Sequence, residues 1–355
     1  MCVQNVDASV RNLDRPLPPG GERASPAGAE GYSAPMTEIL ARPTLEEIEA
    51  ASKLLRSVLV PTPLIPLHAA RGPLDIRLKP EIHQVIGSFK IRGVFNAVAT
   101  LPEGRREAGV STVSAGNTAQ ALAWSARALG ISAKSLMPEG APQTKIDAVR
   151  ALGGEPVLVP MDELFTYMRE RGWESEREAF IHPWTDHSVH VGHGTMGLEI
   201  YDDCPDVDSV YIPVGGGGLL AGVASALKAL APDIRIVAVE PEGCPTLHTS
   251  LAEGRPSGGR CETICDGVAV PFMTDSVFPL MQDLVDECRL VSEDDVKATM
   301  RRLASQDNMI VEPSGALATA AALADDSGKR GTAVALLTGG NIDMAKLLPI
   351  LGGED

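Results

Sequence analysis

The stretch SVYIPVGGGGLLAGVASALKALAPDIRIVAVEP, residues 209–241, decides the fold class. It opens with a short apolar run over residues 209–214 and passes through four glycines into a segment rich in alanine and leucine, residues 218–232. A second apolar run then ends at Pro241. Two short β-branched runs on either side of a helix-length segment predict a strand–helix–strand unit with parallel strands.

The same alternation continues in both directions along the chain. Further strands are predicted over residues 76–81, 109–114, 131–138 and 155–160, and residues 332–341 are predicted as a strand that runs into a glycine turn. Helices are predicted over residues 118–130 and 142–154 and from Ser292 onward. Another helix is predicted after Thr44, where Glu47 completes a capping box. Strands alternating with helices predict an α/β protein whose parallel or mostly parallel twisted sheets are flanked by helices.

Length and composition limit the possible function classes. The chain has 355 residues, which favours two domains or two lobes, and a net charge of −16. An acidic surface argues against nucleic acid and anionic membranes as partners, and no apolar run is long enough to span a bilayer. Residues 1–42 are rich in proline, glycine, alanine and serine and carry no signal-peptide pattern, so we expect a flexible N-terminal extension.

The six cysteines are scattered and form no metal-binding pattern. We therefore expect reduced thiols and a cytoplasmic protein.

Three loops follow predicted strands directly: SAGNT at 114–118, GGGG at 215–218 and TGGN at 338–341. In open α/β sheets, ligands bind at the carboxyl ends of strands, so these loops are candidate binding elements. A fourth element is GSFKIRG, residues 87–93, which follows the predicted strand at 76–81. Its Lys90 is flanked by an aromatic residue and glycines, which suits either a surface lysine at a helix start or an amine that forms a Schiff base.

Four consecutive glycines before a helix favour a phosphate site, because the backbone can approach the ligand closely and the helix N-terminus attracts an anion. A dinucleotide-binding turn is the alternative. It would make the protein a nucleotide-binding oxidoreductase, but Leu220 stands where the third glycine of that pattern is expected.

The other loops complete a set of contacts for one cofactor. The SAGNT loop offers backbone and short polar side chains to a carboxylate, and Asn117 could also contact a phenolic oxygen. Thr338 offers a hydroxyl at a strand end, and Lys90 offers an amine for an aldehyde. A cofactor with an aldehyde, a phosphate, a phenolic oxygen and a ring nitrogen uses all four elements, and pyridoxal 5′-phosphate (PLP) has these groups.

The order of these motifs resembles a known family. GSFKIRG, SAGNTAQ, GGGGLLAG, DGVAV at 266–270, VEPSGA at 311–316 and TGGN occur in the order found in the tryptophan-synthase-β-like, fold type II group of PLP enzymes. The match is closest to the serine/threonine dehydratase and serine racemase family and covers about residues 43–350. The resemblance implies a two-lobed fold, with residues 43–94 and 185–355 in a large PLP-binding domain and residues 95–184 in a small mobile substrate domain.

The resemblance also implies residue roles. Lys90 links to the cofactor aldehyde and later removes the substrate's α-proton, while Phe89 packs against the cofactor ring. Asn117 bonds the phenolic oxygen and Thr338 the pyridine nitrogen. The phosphate is held by Gly215, Gly216, Gly217 and Gly218, and the residues implied at the substrate are Ser114, Ala115, Gly116, Asn117, Thr118, Gly267 and Glu312.

The chain departs from the family pattern at several positions. Thr118 replaces the usual histidine, and His193 replaces the usual glutamine, so that His193 either faces the substrate side chain or is a buried, satisfied histidine. Ala115 stands where racemases carry a proton-donating serine, which argues against racemisation. Glu240 matches one ligand of the family's cation site, but Thr246 stands where an acid is expected, so no metal site is predicted.

These features lead to a functional prediction. The chain is expected to be a PLP-dependent lyase that performs α,β-elimination on a β-hydroxy α-amino acid such as serine, threonine or a larger analogue, giving a 2-oxo acid and ammonia. The alternative within PLP chemistry is a replacement enzyme of the threonine-synthase type. The family resemblance implies a homodimer or homotetramer.

Overall fold

The computed structural model describes residues 39–68 and 75–353. Thirteen α-helices are present in these ranges: α1 (Leu45–Leu55), α2 (Lys90–Thr100), α3 (Glu103–Glu107), α4 (Asn117–Ala128), α5 (Gln143–Ala151), α6 (Met161–Arg169), α7 (His187–Asp203), α8 (Gly218–Leu230), α9 (Thr246–Glu253), α10 (Phe278–Leu284), α11 (Glu293–Gln306), α12 (Pro313–Leu323) and α13 (Met344–Gly352). The strands in the same ranges are β1 (Ile65–Pro66), β2 (Ile76–Pro80), β3 (Val110–Val113), β4 (Ala133–Pro138), β5 (Glu155–Val159), β6 (Ala179–Phe180), β7 (Ser209–Pro213), β8 (Arg235–Pro241), β9 (Glu287–Val291) and β10 (Ala333–Leu337).

The strands form two sheets. A six-stranded sheet has the order β1-β2-β10-β7-β8-β9, and a four-stranded sheet has the order β5-β4-β3-β6. Every neighbouring pair is parallel except β1 and β2, which pair antiparallel. The prediction of an α/β fold with mostly parallel sheets is therefore confirmed.

Helices cover both faces of the six-stranded sheet. On β7, Val210 and Ile212 point into a core shared with α7, α8 and α10, while Tyr211 between them points into the core formed with α11, α12 and α13. All three side chains are fully buried. Because successive side chains point to opposite faces, a strand covered on both sides is largely apolar, as residues 210–214 are.

Residues 39–42 contact the protein in and just before α10. The Leu40 N–H donates to the Ser276 carbonyl at 3.1 Å, and Arg42 pairs with Asp283. The capping box expected at α1 is present, with Thr44 and Glu47 bonded reciprocally. The rest of the predicted flexible extension, residues 1–38, lies outside the described residues. In the part of the chain that is described, no helix is long and apolar enough to cross a membrane.

The expectation of reduced thiols is wrong for two cysteines. Cys244 and Cys261 form a disulfide, whereas Cys204, Cys265 and Cys288 are free, and Cys2 lies outside the described residues. The segment containing Cys261 folds back onto the turn after β8, where the N–H of residue 262 donates to the carbonyl of residue 243 at 2.8 Å. Tertiary folding brings the two sulfurs together across 17 residues, a spacing that carries no signal in the sequence.

A buried ionic cluster joins β2, the turn after it, α2 and α7. The Arg92 guanidinium donates to both carboxylate oxygens of Glu81, at 2.7 and 2.8 Å, and to both of Glu199, also at 2.7 and 2.8 Å. Lys79 donates to Glu199 at 2.6 Å. Arg92, Glu81 and Lys79 are almost fully buried, so two carboxylates are matched by two cations away from water.

Replacing Arg92 with methionine should lower the stability of the protein to urea by about 3–5 kcal/mol, because it leaves buried carboxylates without their main partner. The matched control is Arg77→Met, since Arg77 pairs with Asp75 at a partly exposed position and such a pair contributes about 0–1 kcal/mol. Urea denaturation followed by circular dichroism measures both. Equal losses for the two variants would contradict the assigned importance of the buried cluster.

Candidate active site

The predicted loops meet at one cavity of about 1180 Å³. Its lining includes Phe89 and Lys90, the whole of residues 114–118, the four glycines 215–218, Gly267, Glu312 and Thr338. The strands that lead into these loops end at the same edge of their sheets, which is why segments far apart in the chain converge.

Lys90 is placed by the turn that follows β10. The Phe89 N–H donates to the Thr338 carbonyl at 3.0 Å, and the Gly340 N–H donates to the Gly87 carbonyl at 3.0 Å. The Asn341 side chain adds a hydrogen bond to the carbonyl of residue 86 at 2.8 Å. The TGGN turn and the GSFK segment therefore form one hydrogen-bonded unit, and Lys90 begins α2 directly after it.

The Lys90 amine lies in an environment that favours its neutral form. Its Nζ sits 4.9 Å from the centroid of the Phe89 ring. Burial lowers the pKa of Lys90 to about 8, against an opposing effect of the Glu312 carboxylate. A lysine with a lowered pKa is a better nucleophile and a better base near neutral pH than a lysine in water.

Glu312 and two asparagines form a hydrogen-bonded chain beside Lys90. The Asn117 amide donates to Glu312 at 2.9 Å, and its carbonyl oxygen accepts from Asn341 at 2.8 Å. Burial, together with the nearby Asp266 carboxylate, raises the pKa of the Glu312 carboxyl to about 7. These hydrogen bonds join the start of α4 to the start of α12 and to the turn after β10.

The glycines of the loop leave little space for side chains, since a Cβ on Gly215, Gly216 or Gly217 would come within 3.0 Å of a neighbouring atom. A Cβ on Gly216 would lie 2.3 Å from Cγ of Trp184, and one on Gly217 would lie 2.7 Å from Cγ1 of Val277. Gly217 also has φ +87°, which disfavours other residues. Within residues 39–68 and 75–353, the N–H groups of residues 215–218 make no hydrogen bond, and they stand at the N-terminus of the 13-residue helix α8. Such a loop is suited to bind a phosphate.

A known protein family matches most of this chain. The family model described as "Pyridoxal-phosphate dependent enzyme" matches residues 55–339. The chain belongs to this family. An L-threonine ammonia-lyase of Thermotoga maritima is 40% identical over 311 residues, which cover 85% of this chain and 76% of that protein.

Solved structures of PLP-family relatives share the fold. The processed form of threonine deaminase isoform 2 from Solanum lycopersicum is 36% identical with a TM-score of 0.81, over 89% of this chain and 96% of that chain. Maize serine racemase is 31% identical, also with a TM-score of 0.81, over 88% and 98% of the two chains.

The residues of this PLP-family cavity fit the cofactor. A glycine loop with free N–H groups suits its phosphate, and the Lys90 amine suits its aldehyde. Thr338 is almost fully buried, and among the described residues its hydroxyl makes only a long hydrogen bond, 3.5 Å, to the carbonyl of residue 314. The hydroxyl can therefore donate to an unprotonated ring nitrogen or accept from a protonated one.

The SAGNT loop is ordered by its own polar groups. The Ser114 hydroxyl accepts from the Gly116 N–H at 3.1 Å, and the Ser135 hydroxyl donates to the Ser114 carbonyl at 3.1 Å. The helix α4 begins at Asn117, so its positive end faces the same cavity. The arrangement can hold a carboxylate without a cationic side chain.

His193, predicted either to face the substrate side chain or to be a buried histidine, does not line the cavity. It is 1% exposed and lies behind Phe89, with the two ring centroids 4.8 Å apart. Burial holds the pKa of His193 well below its usual range, so the ring is neutral. The alternative of a buried histidine is the better description, although its Nδ1 has no hydrogen-bond partner among the described residues.

Glu240 is engaged in structure rather than in a metal cluster. Its carboxylate accepts from the N–H groups of Leu247 and His248, both at 2.8 Å, near the start of α9. Over the described ranges, no group of three or more His, Cys, Asp or Glu side chains could hold a metal ion.

Three residues of the cavity wall were not assigned from the sequence. Ser314 accepts from the Gly267 N–H at 3.0 Å, and Asn341 bonds to Asn117. Both lie in the motifs VEPSGA and TGGN, so the sequence indicates that they are near the site but not which residues they bond. Trp184 packs against the glycine loop, and no spacing pattern in the sequence points to it.

Replacing Gly216 with alanine should weaken PLP binding roughly tenfold or more, a loss of about 1.4 kcal/mol or more, because the new Cβ and Trp184 cannot occupy their present positions together. The control is Gly104→Ala in α3, where no atom of the described residues beyond the helix itself lies within 4 Å of the added Cβ. Titration of the apo-protein with PLP, followed by visible absorbance, measures both affinities. Unchanged affinity in Gly216→Ala would contradict the phosphate assignment.

The rate at which the apo-protein captures PLP should rise with pH through a midpoint near 8. Only the neutral Lys90 amine attacks an aldehyde, and the pKa of Lys90 is lowered to about 8. In Glu312→Gln the midpoint should move to lower pH, because the carboxylate that raises the pKa of Lys90 is gone. Stopped-flow absorbance gives both profiles. A midpoint above 10 in the parent protein would disprove the assigned environment of Lys90.

Proposed function

We propose that this chain is a PLP-dependent ammonia-lyase that converts a β-hydroxy α-amino acid to a 2-oxo acid and ammonia. The observation that carries the proposal is the Lys90 amine, whose pKa is lowered, in one cavity with an anion-binding glycine loop and a second anion-binding loop. Similarity to L-threonine ammonia-lyase and threonine deaminase supports the same reaction class.

Each loop has a separate task in this proposal. The N–H groups of residues 215–218 hold the cofactor phosphate, and the SAGNT loop with the start of α4 holds the substrate carboxylate. Thr338 contacts the ring nitrogen, Asn117 the phenolic oxygen, and Phe89 the ring. The cofactor, when bound, stabilises the negative charge that develops on the substrate α-carbon.

Lys90 is the residue proposed to remove the α-proton. Its lowered pKa lets the amine be neutral before the transfer and hold the proton afterwards. Glu312 lies close enough to affect the charge of Lys90 and is tied to Asn117. Glu312 is therefore proposed as the group that controls whether the Lys90 amine is protonated or neutral. Ala115 offers only a methyl group to the cavity, so no hydroxyl at that position can return a proton, and elimination is favoured over racemisation.

The domain organisation is part of the proposal. Residues 43–94 and 185–355 would form the large cofactor-binding lobe, and residues 95–184 a smaller mobile lobe. The six-stranded sheet draws its strands from the first two ranges and the four-stranded sheet from the third, which supports this division. We also propose a homodimer or homotetramer located in the cytoplasm, where the Cys244–Cys261 disulfide would face a reducing thiol pool.

The test is to add L-serine, L-threonine and larger β-hydroxy amino acids to the PLP-loaded protein and assay 2-oxo acid and ammonia together. Equal amounts of both products are expected with at least one substrate, and none with Lys90→Ala, because the base is removed. Turnover that requires an added nucleophile or a phosphorylated substrate would instead indicate a replacement enzyme. Absence of a visible chromophore after PLP is added would disprove the cofactor assignment.

A further inference from the structure

One face of α6 forms an apolar wall of the active-site cavity. Met161, Leu164, Phe165 and Met168 all line it, at the spacing that puts them on one side of a helix. Leu164 and Met168 are buried, whereas Met161 and Phe165 are 53% and 51% exposed. The buried residues thus anchor this face of α6, while Met161 and Phe165 remain about half exposed at the cavity.

Further apolar side chains line the same cavity near the glycine loop. Trp184 packs against Gly216, so its ring is fixed beside the proposed phosphate site. Phe272 lies next to Trp184, with ring centroids 6.3 Å apart, and Pro271 precedes it in the cavity lining. The cavity therefore combines a polar set of loops with apolar surface from α6 and from these aromatic residues.

The charges on the cavity wall do not favour a second acidic group on the substrate. Lys145 pairs with Asp266 at 2.8 Å, and Arg260 pairs with Glu262. Lys346 is solvent-exposed, where an ion pair contributes little to binding. A substrate with a side-chain carboxylate would have to displace existing partners to gain a strong contact.

The cavity is also larger than a small substrate requires. Its volume of about 1180 Å³ exceeds the roughly 300–1,000 Å³ of ordinary small-molecule sites. The cofactor occupies part of that volume, and serine or threonine would leave the apolar wall in contact with water. An aromatic group buries a large apolar area in such a place.

We propose that α6 supplies the pocket for the substrate's β-substituent and that the preferred substrates are β-hydroxy α-amino acids with a bulky apolar β-substituent, an aryl group above all. This inference rests on the proposed ammonia-lyase function and names its substrate class. Phe165 and Met161 are the specificity-determining residues, because they are the exposed apolar groups on that helix.

The first test compares L-threo-β-phenylserine with L-threonine and L-serine as substrates of the PLP-loaded protein. We expect kcat/KM for phenylserine to exceed that for threonine roughly ten- to a hundredfold, since filling an apolar pocket discriminates by about that factor. Phe165→Ala should lower the ratio of the two values about tenfold, because the apolar group that contacts the aryl substituent is removed. Because Phe165 is half exposed, this substitution should not unfold the protein.

The control variant is Leu158→Ala in β5. Leu158 is 42% exposed, similar to Phe165, but it does not line the cavity. This substitution should leave the phenylserine-to-threonine ratio unchanged. An equal fall in the ratio for both variants would overturn the assignment to α6.

A binding measurement separates the pocket from the reaction. L-Phenylalanine and L-alanine lack a β-hydroxyl group and cannot undergo the elimination, so their affinities are read from the visible spectrum of the bound cofactor. Tighter binding of phenylalanine, lost in Phe165→Ala, supports the apolar pocket even if no substrate is turned over, in which case the lyase function alone fails. Turnover of threonine without preference for phenylserine, together with equal binding of the two analogues, overturns the inference and leaves the lyase function standing.

Discussion

The buried pairing of Arg92 with Glu81 and Glu199 is the constraint on which the site depends. The guanidinium satisfies four carboxylate oxygens at 2.7–2.8 Å, two residues after Lys90 on the same helix. Charges removed from water tolerate little displacement, because any gap leaves an unpaired ion in a low dielectric. The start of α2, and with it the lysine, is thereby fixed against β2 and α7, while the turn after β10 fixes the residues just before it.

Much of this arrangement could be predicted from the sequence because it follows from short-range rules. The strand–helix alternation is a local pattern, and each predicted strand and helix has a counterpart in the structure within a few residues. The convergence of loops 114–118, 215–218 and 338–341 follows from parallel topology, since the carboxyl ends of parallel strands share an edge. The glycine loop was also readable, because four adjacent glycines have few structural uses other than close backbone approach.

What could not be predicted depends on side chains that meet through tertiary packing. His193 sits in a helix of mixed polarity, and only the position of Phe89 above its ring shows that it is shielded from the cavity. Asn117 and Glu312 are separated by 195 positions, so their hydrogen bond has no local signature. The Cys244–Cys261 disulfide and the contact of Trp184 with Gly216 likewise arise from the way loops fold back on the strands.

The position of β10 has a consequence for how the protein acquires its site during synthesis. Residues 333–337 follow the other described strands in the chain, yet β10 lies inside the six-stranded sheet, between β2 and β7. Until that segment leaves the ribosome, β2 and β7 each keep an unpaired edge, which invites association with other chains. The turn that holds Lys90 follows β10 directly, so the nascent chain cannot form a cofactor site gradually. It becomes able to hold PLP only when nearly all of the sequence from β2 to β10 is available to fold together.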